Sequence, residues 1–252
     1  MELAETLRDH ERAWNERPLL RRIYRDWFAL LASHLARVPG ATLELGSGIG
    51  QLREFVPGLV TSDVEPTPWA DLVVDAAQLP YRDGELANIV MLDVYHHLPQ
   101  PAAFLDEASR TLGPGGRVVM LEPHVSPLSG LAYRFHHERL ELDGDGFAGS
   151  DSPDPMDANL AQTTLAFFKQ RKEYGRRWPE LPVVEEELLS FLVYPLSGGF
   201  TRRPLLPAAL YRPLNAVERA LMPALGRVAA FRSLVVLERT PPGDRDRAGD
   251  RA

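Results

Sequence analysis

The 252-residue sequence predicts an α/β protein: a seven-stranded, mostly parallel sheet with helices on both faces. Three observations lead there. Short, nearly continuous apolar runs recur, each closed by a corner rich in Gly, Pro or Asp. Helix-period segments lie between some of them, most clearly Pro101 to Leu112. The first run ends in "LELGSGIGQL", Leu43 to Leu52, where glycines stand at 46, 48 and 50. Parallel strands buried on both faces read as unbroken apolar runs, and helices join them.

Taken in order, residues 17–37 predict an amphipathic helix. Leu19, Leu20, Ile23, Tyr24, Trp27, Leu30, Leu31 and Leu35 share one face, and Val38-Pro39-Gly40 stops it. Residues 1–39 therefore read as an N-terminal helical cap. Strands are expected at 41–45, 59–64, 71–75, 88–92 and 116–121. From 124 the rhythm changes. A helix is expected over 128–142, a loop over 143–158, a helix over 159–175 and a strand over 181–194. Residues 207–230 carry Leu210, Leu214, Val217, Leu221, Leu225 and Val228 at helical spacing, interrupted by Pro213 and Pro223. A last strand, Ser233 to Leu237, follows. The main domain is thus 40–240, with core motifs in 40–123 and helical insertions within 124–232. The tail 241–252, PPGDRDRAGDRA, has the composition of a disordered segment.

Bulk properties narrow the function. The formal net charge is −7, so no global basic field favours nucleic acid. Cysteine is absent, which removes disulfides, thiolate zinc sites and cysteine nucleophiles and fits a reducing compartment. The N-terminus, MELAETLRDHERAW, lacks an apolar stretch of the signal-peptide kind, and no run of about 20 apolar residues spans a membrane. A cytoplasmic location is expected.

The glycine pattern is G-x-G-x-G. A dinucleotide fingerprint needs a third glycine where Gln51 stands, and a P-loop needs a Gly-Lys-Ser/Thr ending. Glu44 precedes the first glycine by two residues; an acid there repels a pyrophosphate and suits a ligand carrying an ammonium group. Together with the segments that follow it, "LELGSGIG" resembles the first motif of class I S-adenosylmethionine-dependent methyltransferases of the type 11 group. "VTSDVEP", "VVDAAQLPY", "ANIVMLDVYHHLPQP" and "EASRTLGPGGRVVMLEP" are similar to that family's later motifs, so the resemblance covers residues 40–123. It implies a Rossmann-like fold and S-adenosyl-L-methionine as methyl donor. Carried over residue by residue, it implies cofactor contacts from Glu44, Gly46, Ser47, Gly48 and Gly50. Asp63, with Val64, would take the ribose hydroxyls, Asp75 and Ala76 the adenine, and Leu92 and Asp93 the methionine part. The chemistry agrees: left-handed backbone needs glycine, and carboxylates accept from hydroxyls and amines.

A sulfonium is already activated, so transfer needs mainly orientation. A base is wanted when the acceptor is a hydroxyl, and imidazole is the usual one. The resemblance puts His97 where the family often carries a histidine, read either as that base or as a structural residue that packs against or caps the next helix; His124, after the fifth strand, is a second candidate base. If the segment is helical, His96 points elsewhere. Glu122 is either substrate-facing or a plain strand-end carboxylate. His136, His137 and Glu138 have the wrong spacing for ligation on one helical face, and no metal is expected. The residues 10–18, HERAWNERP, read either as a lid over the cofactor or as a cap on the sheet. Phe167, Phe168 and the segment "FLVYPLSGGF" suggest a large apolar acceptor pocket or a dimer face. Arginines at 202, 203, 212, 219, 227 and 232 among apolar residues raise a peripheral membrane contact. The expected function is methylation, at oxygen, of a small hydrophobic or lipid- or sugar-linked acceptor. N- or C-methylation stays open, as does an inactive cofactor-binding partner protein.

Overall fold

The computed structural model describes residues 3–135, 138–149, 157–200 and 202–241. His136, His137, most of the expected loop 143–158 beyond Gly149, and the tail from 242 lie outside the described residues. Two helices open the chain, α1 (Leu3–Glu16) and α2 (Pro18–His34). The strands are β1 (Ala41–Leu45), β2 (Val60–Asp63), β3 (Leu72–Val73), β4 (Leu86–Leu92), β5 (Leu112–Pro123), β6 (Val183–Leu189) and β7 (Arg232–Glu238). They form one seven-stranded sheet in the order β3-β2-β1-β4-β5-β7-β6. All neighbours from β3 to β5 are parallel, and β7 runs antiparallel to both β5 and β6.

That arrangement sets the site. The carboxyl ends of β1, β2, β3, β4 and β5 share one edge of the sheet, where open α/β sheets bind ligands. Because β7 is reversed, its first residue arrives at the same edge: Arg232 pairs in register with Pro123 of β5 and Leu189 of β6.

Strand residues alternate between two cores, as the two-residue period requires. Val119, Leu121, Leu234 and Val236 face α2 through Leu20, Ile23, Trp27 and Leu31. Val118, Met120, Val235 and Leu237 face Phe104, Leu105 and Ala108 of α3 (Pro101–Thr111), together with Phe167, Tyr174 and Trp178. Each buried Leu or Val contributes about 1.5–3 kcal/mol, so both layers are held by ordinary apolar burial.

Beyond Pro123 the sequence reading needs correction. The helix expected over 128–142 is α4 (Pro127–Tyr133), started by a Ser126/Ser129 capping box. Among the described residues past Tyr133 the helix gives way to turn and loop, where Asn159 takes the Glu141 N–H with Oδ1 and Arg139 bridges to Asn159. The helix expected over 159–175 divides at Gln170 into a π turn, Thr164–Lys169, and α5 (Arg171–Arg177). The Gln170 side chain is engaged elsewhere, by Gly146 N–H and Gly144 C=O. The strand expected over 181–194 stops at Leu189, and α6 (Val193–Ser197) follows. Buried Glu218 explains the switch: its Oε2 accepts the N–H groups of Phe191, Leu192 and Val193, capping α6 from another helix. That helix is α7 (Tyr211–Ala229). On it Val217, Leu221, Leu225 and Val228 form an exposed apolar stripe. At 3.6 residues per turn, Arg212, Arg219 and Arg227 fall on the opposite side of α7, so they do not interleave with that stripe. Arg232 is no surface arginine at all, being buried. No described helix is long and apolar enough to cross a membrane.

Candidate active site

A cavity of about 1310 Å³ opens at the carboxyl edge of the sheet. The loop after β1 makes its floor. Gly46, Gly48 and Gly50 have φ of 61°, 54° and 67°, in the region that favours glycine. A Cβ on Gly46 would lie 2.5 Å from Val94 Cγ2. The loop is tied to β2: Ser47 N–H donates to Ser62 C=O, and Ser62 N–H donates to Ser47 Oγ at 2.8 Å. Asp63 accepts the N–H of Gly48 at 3.3 Å and of Val64 at 2.9 Å.

Ten of the eleven residues expected at the cofactor line this cavity: Glu44, Gly46, Ser47, Gly48, Asp63, Val64, Asp75, Ala76, Leu92 and Asp93. Gly50 does not. It turns the chain behind the floor, against Trp69. Glu44 is buried, and its Oε2 has no hydrogen-bond partner among the described residues. Burial pushes its carboxyl up to about 8. Burial also raises Asp63, against the opposing hydrogen bonds of Val64 and Gly48. Asp75 is exposed and accepts the Ala77 N–H. The roof is α1, from which Leu7, His10, Ala13 and Trp14 line the cavity. Arg17 then anchors this end of the helix pair, donating from Nη1 to the carbonyls of Gly199 and Arg202, each at 2.8 Å.

The histidines are arranged differently from the sequence reading. His97 lines the cavity, as does His96, which was expected to point elsewhere. Both sit on the 3-10 turn Tyr95–His97 rather than on a helix, and their rings lie 4.2 Å apart. Glu122 is a fully buried strand-end carboxylate. Its Oε1 accepts the N–H of Val94 and Tyr95, and its Oε2 lies 2.6 Å from His96 Nδ1. A carboxylate only accepts, so the neutral His96 ring carries its proton on Nδ1 and directs its Nε2 lone pair away from Glu122. Burial works against a charged His96, but the hydrogen bond and charge of Glu122 outweigh it, and the imidazole is raised. His124 is not among the lining residues. It is packed edge-on against Phe168, and burial lowers it to about 4.

Sequence reasoning grouped Arg232 with the arginines of a peripheral membrane contact and missed it as a site residue. It donates to Asp93 from both Nη atoms and to Tyr194 Oη at 2.8 Å, and it stacks over Trp27 and Tyr194. Asp93, at φ 59°, is thus committed to a guanidinium rather than open to a ligand alone. The signal was an arginine heading the otherwise apolar run Ser233 to Leu237. Tyr24, Phe28, Tyr133, Tyr194, Phe200 and Phe231 complete an aromatic wall.

A family model described as a methyltransferase domain matches residues 15–191. The chain belongs to this methyltransferase family. The match runs from the last turn of α1 through β6, well beyond the motif-bearing segment 40–123. A demethylmenaquinone methyltransferase of Thermus thermophilus is 30% identical over 128 residues. The match spans 42% of this chain and 58% of the relative, so the chain covers less than two thirds of that protein's length. Among solved structures, a SAM-dependent methyltransferase from Archaeoglobus fulgidus aligns with a TM-score of 0.51 at 11% identity, covering 87% of this chain and 94% of the other. A geranyl diphosphate methyltransferase in complex with SAM gives 0.51 at 16% identity, covering 88% and 89%. At these identities the two share the Rossmann-like fold with this chain.

Proposed function

We propose that this methyltransferase binds S-adenosylmethionine in the cavity and transfers its methyl group to an oxygen of a small hydrophobic acceptor. The observation that carries the reading is Glu44: a buried carboxylate with an unpartnered oxygen beside a glycine floor. Such a group calls for a cationic ligand, because an unpaired buried acceptor costs about 1–3 kcal/mol or more. A ligand ammonium answers it; a pyrophosphate does not. Asp63 is assigned to the ribose hydroxyls and Asp75 with Ala76 to the adenine. The aromatic wall of Tyr24, Phe28, Tyr133, Tyr194, Phe200 and Phe231 supports an apolar acceptor. So does the family relative whose name makes demethylmenaquinone its acceptor.

In the transfer, an acceptor oxygen lone pair attacks the methyl carbon. The carbon–sulfur bond breaks, its electron pair stays on sulfur, and the sulfonium becomes a neutral thioether. The hydroxyl proton must leave. We assign activation of the acceptor oxygen to the imidazole pair His96 and His97, with His97 the simplest proton acceptor.

Calorimetric titration with S-adenosylmethionine, S-adenosylhomocysteine and NAD tests the cofactor reading. Micromolar binding of the first two without NAD is expected. Binding of NAD alone overturns the reading and each role built on it.

A further inference from the structure

His96, His97 and Glu138 each offer one ligand atom, and these atoms lie within 4.8 Å of one another. His96 Nε2 is 3.9 Å from Glu138 Oε2. The three come from two elements, the turn after β4 and the segment after α4, and all line the cavity. We propose that they form a binding site for a first-row divalent transition cation at the acceptor end of the pocket.

The support behind His96 carries the argument. Metal-bound histidines donate their other ring N–H to a carboxylate, which fixes the tautomer and aims the free lone pair. Glu122 does this to His96 Nδ1 at 2.6 Å, and it is itself fixed by the Val94 and Tyr95 N–H groups. The His96 backbone is pinned as well, its carbonyl accepting the Asn159 N–H at 3.0 Å. His97 N–H donates to Val94 C=O at 2.9 Å, so the turn that carries both rings is closed. The ligand set is two nitrogens and one carboxylate oxygen, which suits zinc, manganese, iron or cobalt and leaves coordination positions open.

A second cluster, Asp93, His96 and Glu122, is also close enough to hold an ion. It is already saturated. Arg232 occupies Asp93, and three backbone N–H groups and His96 Nδ1 occupy Glu122. A cation there would have to displace a guanidinium. The cation therefore belongs on the Nε2 side of His96. With open positions facing the cavity, it selects acceptors that present an oxygen donor beside the methylated one. That last step rests on the methyl-transfer reading; the cation site does not.

The test uses the full chain, stripped with a chelator and titrated separately with Co²⁺, Zn²⁺ and Mn²⁺, with visible absorption reporting Co²⁺. S-adenosylmethionine binding is measured on the same sample. One equivalent bound at micromolar or tighter affinity is expected for at least one ion. His96→Ala and Glu138→Gln should each weaken binding about 100-fold, and Glu122→Gln about 10–100-fold. Circular dichroism confirms that each variant is folded. No saturable binding of any of the three ions, or binding unchanged in both His96→Ala and Glu138→Gln, overturns the site. If S-adenosylmethionine still binds in that case, the methyltransferase reading stands without it. Metal bound without S-adenosylmethionine sinks that reading and leaves the cation site.

Discussion

Arg232 holds Asp93 with both of its terminal nitrogens, joining the head of β7 to the loop after β4. The two residues are 139 positions apart in sequence. The guanidinium is 5% exposed and the carboxylate 26%. Removing one partner of a buried pair leaves the other uncompensated, at about 3–5 kcal/mol for a deeply buried charge. Asp93→Ala, which strands the deeper group, should therefore destabilise more than Arg232→Ala, which strands the wetter one. Urea unfolding at pH 7 measures both. Equal losses below about 1 kcal/mol would mean that the pair does not bind the sheet edge together.

Two glycines with left-handed backbone separate close packing from strain alone. Gly46 has φ 61° and faces stiff, β-branched Val94 at 2.5 Å from a built Cβ. Gly58 has φ 76° and nothing within 4 Å. Gly58→Ala should cost about 1–2 kcal/mol of stability through backbone strain and leave cofactor affinity within twofold. Gly46→Ala should cost more and weaken S-adenosylmethionine at least tenfold, because Val94 and the floor must move. Isothermal titration of both variants decides it; matched affinities would place the cofactor away from the loop.

Glu44 makes both stability and binding depend on pH. Its folded value is about 8, against an unfolded value near 4.5. Between those values the native state holds a proton that the unfolded state has lost. Stability therefore falls as pH rises from about 4.5 and levels off above about 8. The full effect is on the order of a few kcal/mol. Glu44→Gln should raise the melting temperature of the ligand-free protein at pH 8 and change it little at pH 4.5. Binding runs the other way. A cationic ligand needs the carboxylate, so S-adenosylmethionine affinity should rise between pH 6 and 8, by at most about tenfold per unit, and that slope should vanish in Glu44→Gln. A slope unchanged in the variant would assign it to the ligand's own amine.

The first half of the sheet was legible because its information is local. The runs ending at Leu45, Asp63 and Leu92 are bounded by their own turns, and each site acid stands beside the strand that carries it. Past Pro123 the deciding contacts are remote. Glu218 caps α6 from 25 or more residues away, and Asn159 straightens residues 139–141. Neither leaves a mark in local periodicity. The same holds within the site. Arg232 reaches the cavity only because β7 is antiparallel, and His96 turns inward only because Glu122 captures its ring from β5.

The two histidines named from sequence should behave oppositely. His97 lines the cavity beside His96, and His97→Ala should slow methyl transfer at least about 100-fold, whether the imidazole takes the proton directly or holds a ligand that activates the acceptor. His124 lies off the cavity against Phe168, and its Nδ1 is buried without a partner among the described residues. Lowered to about 4, it is neutral across the working range and supplies no titration to the rate profile above pH 5. The unfolded chain protonates this side chain near 6.5 while the native state resists to about 4. Stability is therefore lost as pH falls through that window, by on the order of 3 kcal/mol at its limit. His124→Phe removes an unsatisfied polar atom and that proton linkage together. It should keep near-native turnover while flattening the melting temperature between pH 6.5 and 4. A rate loss matching that of His97→Ala would return His124 to the chemistry.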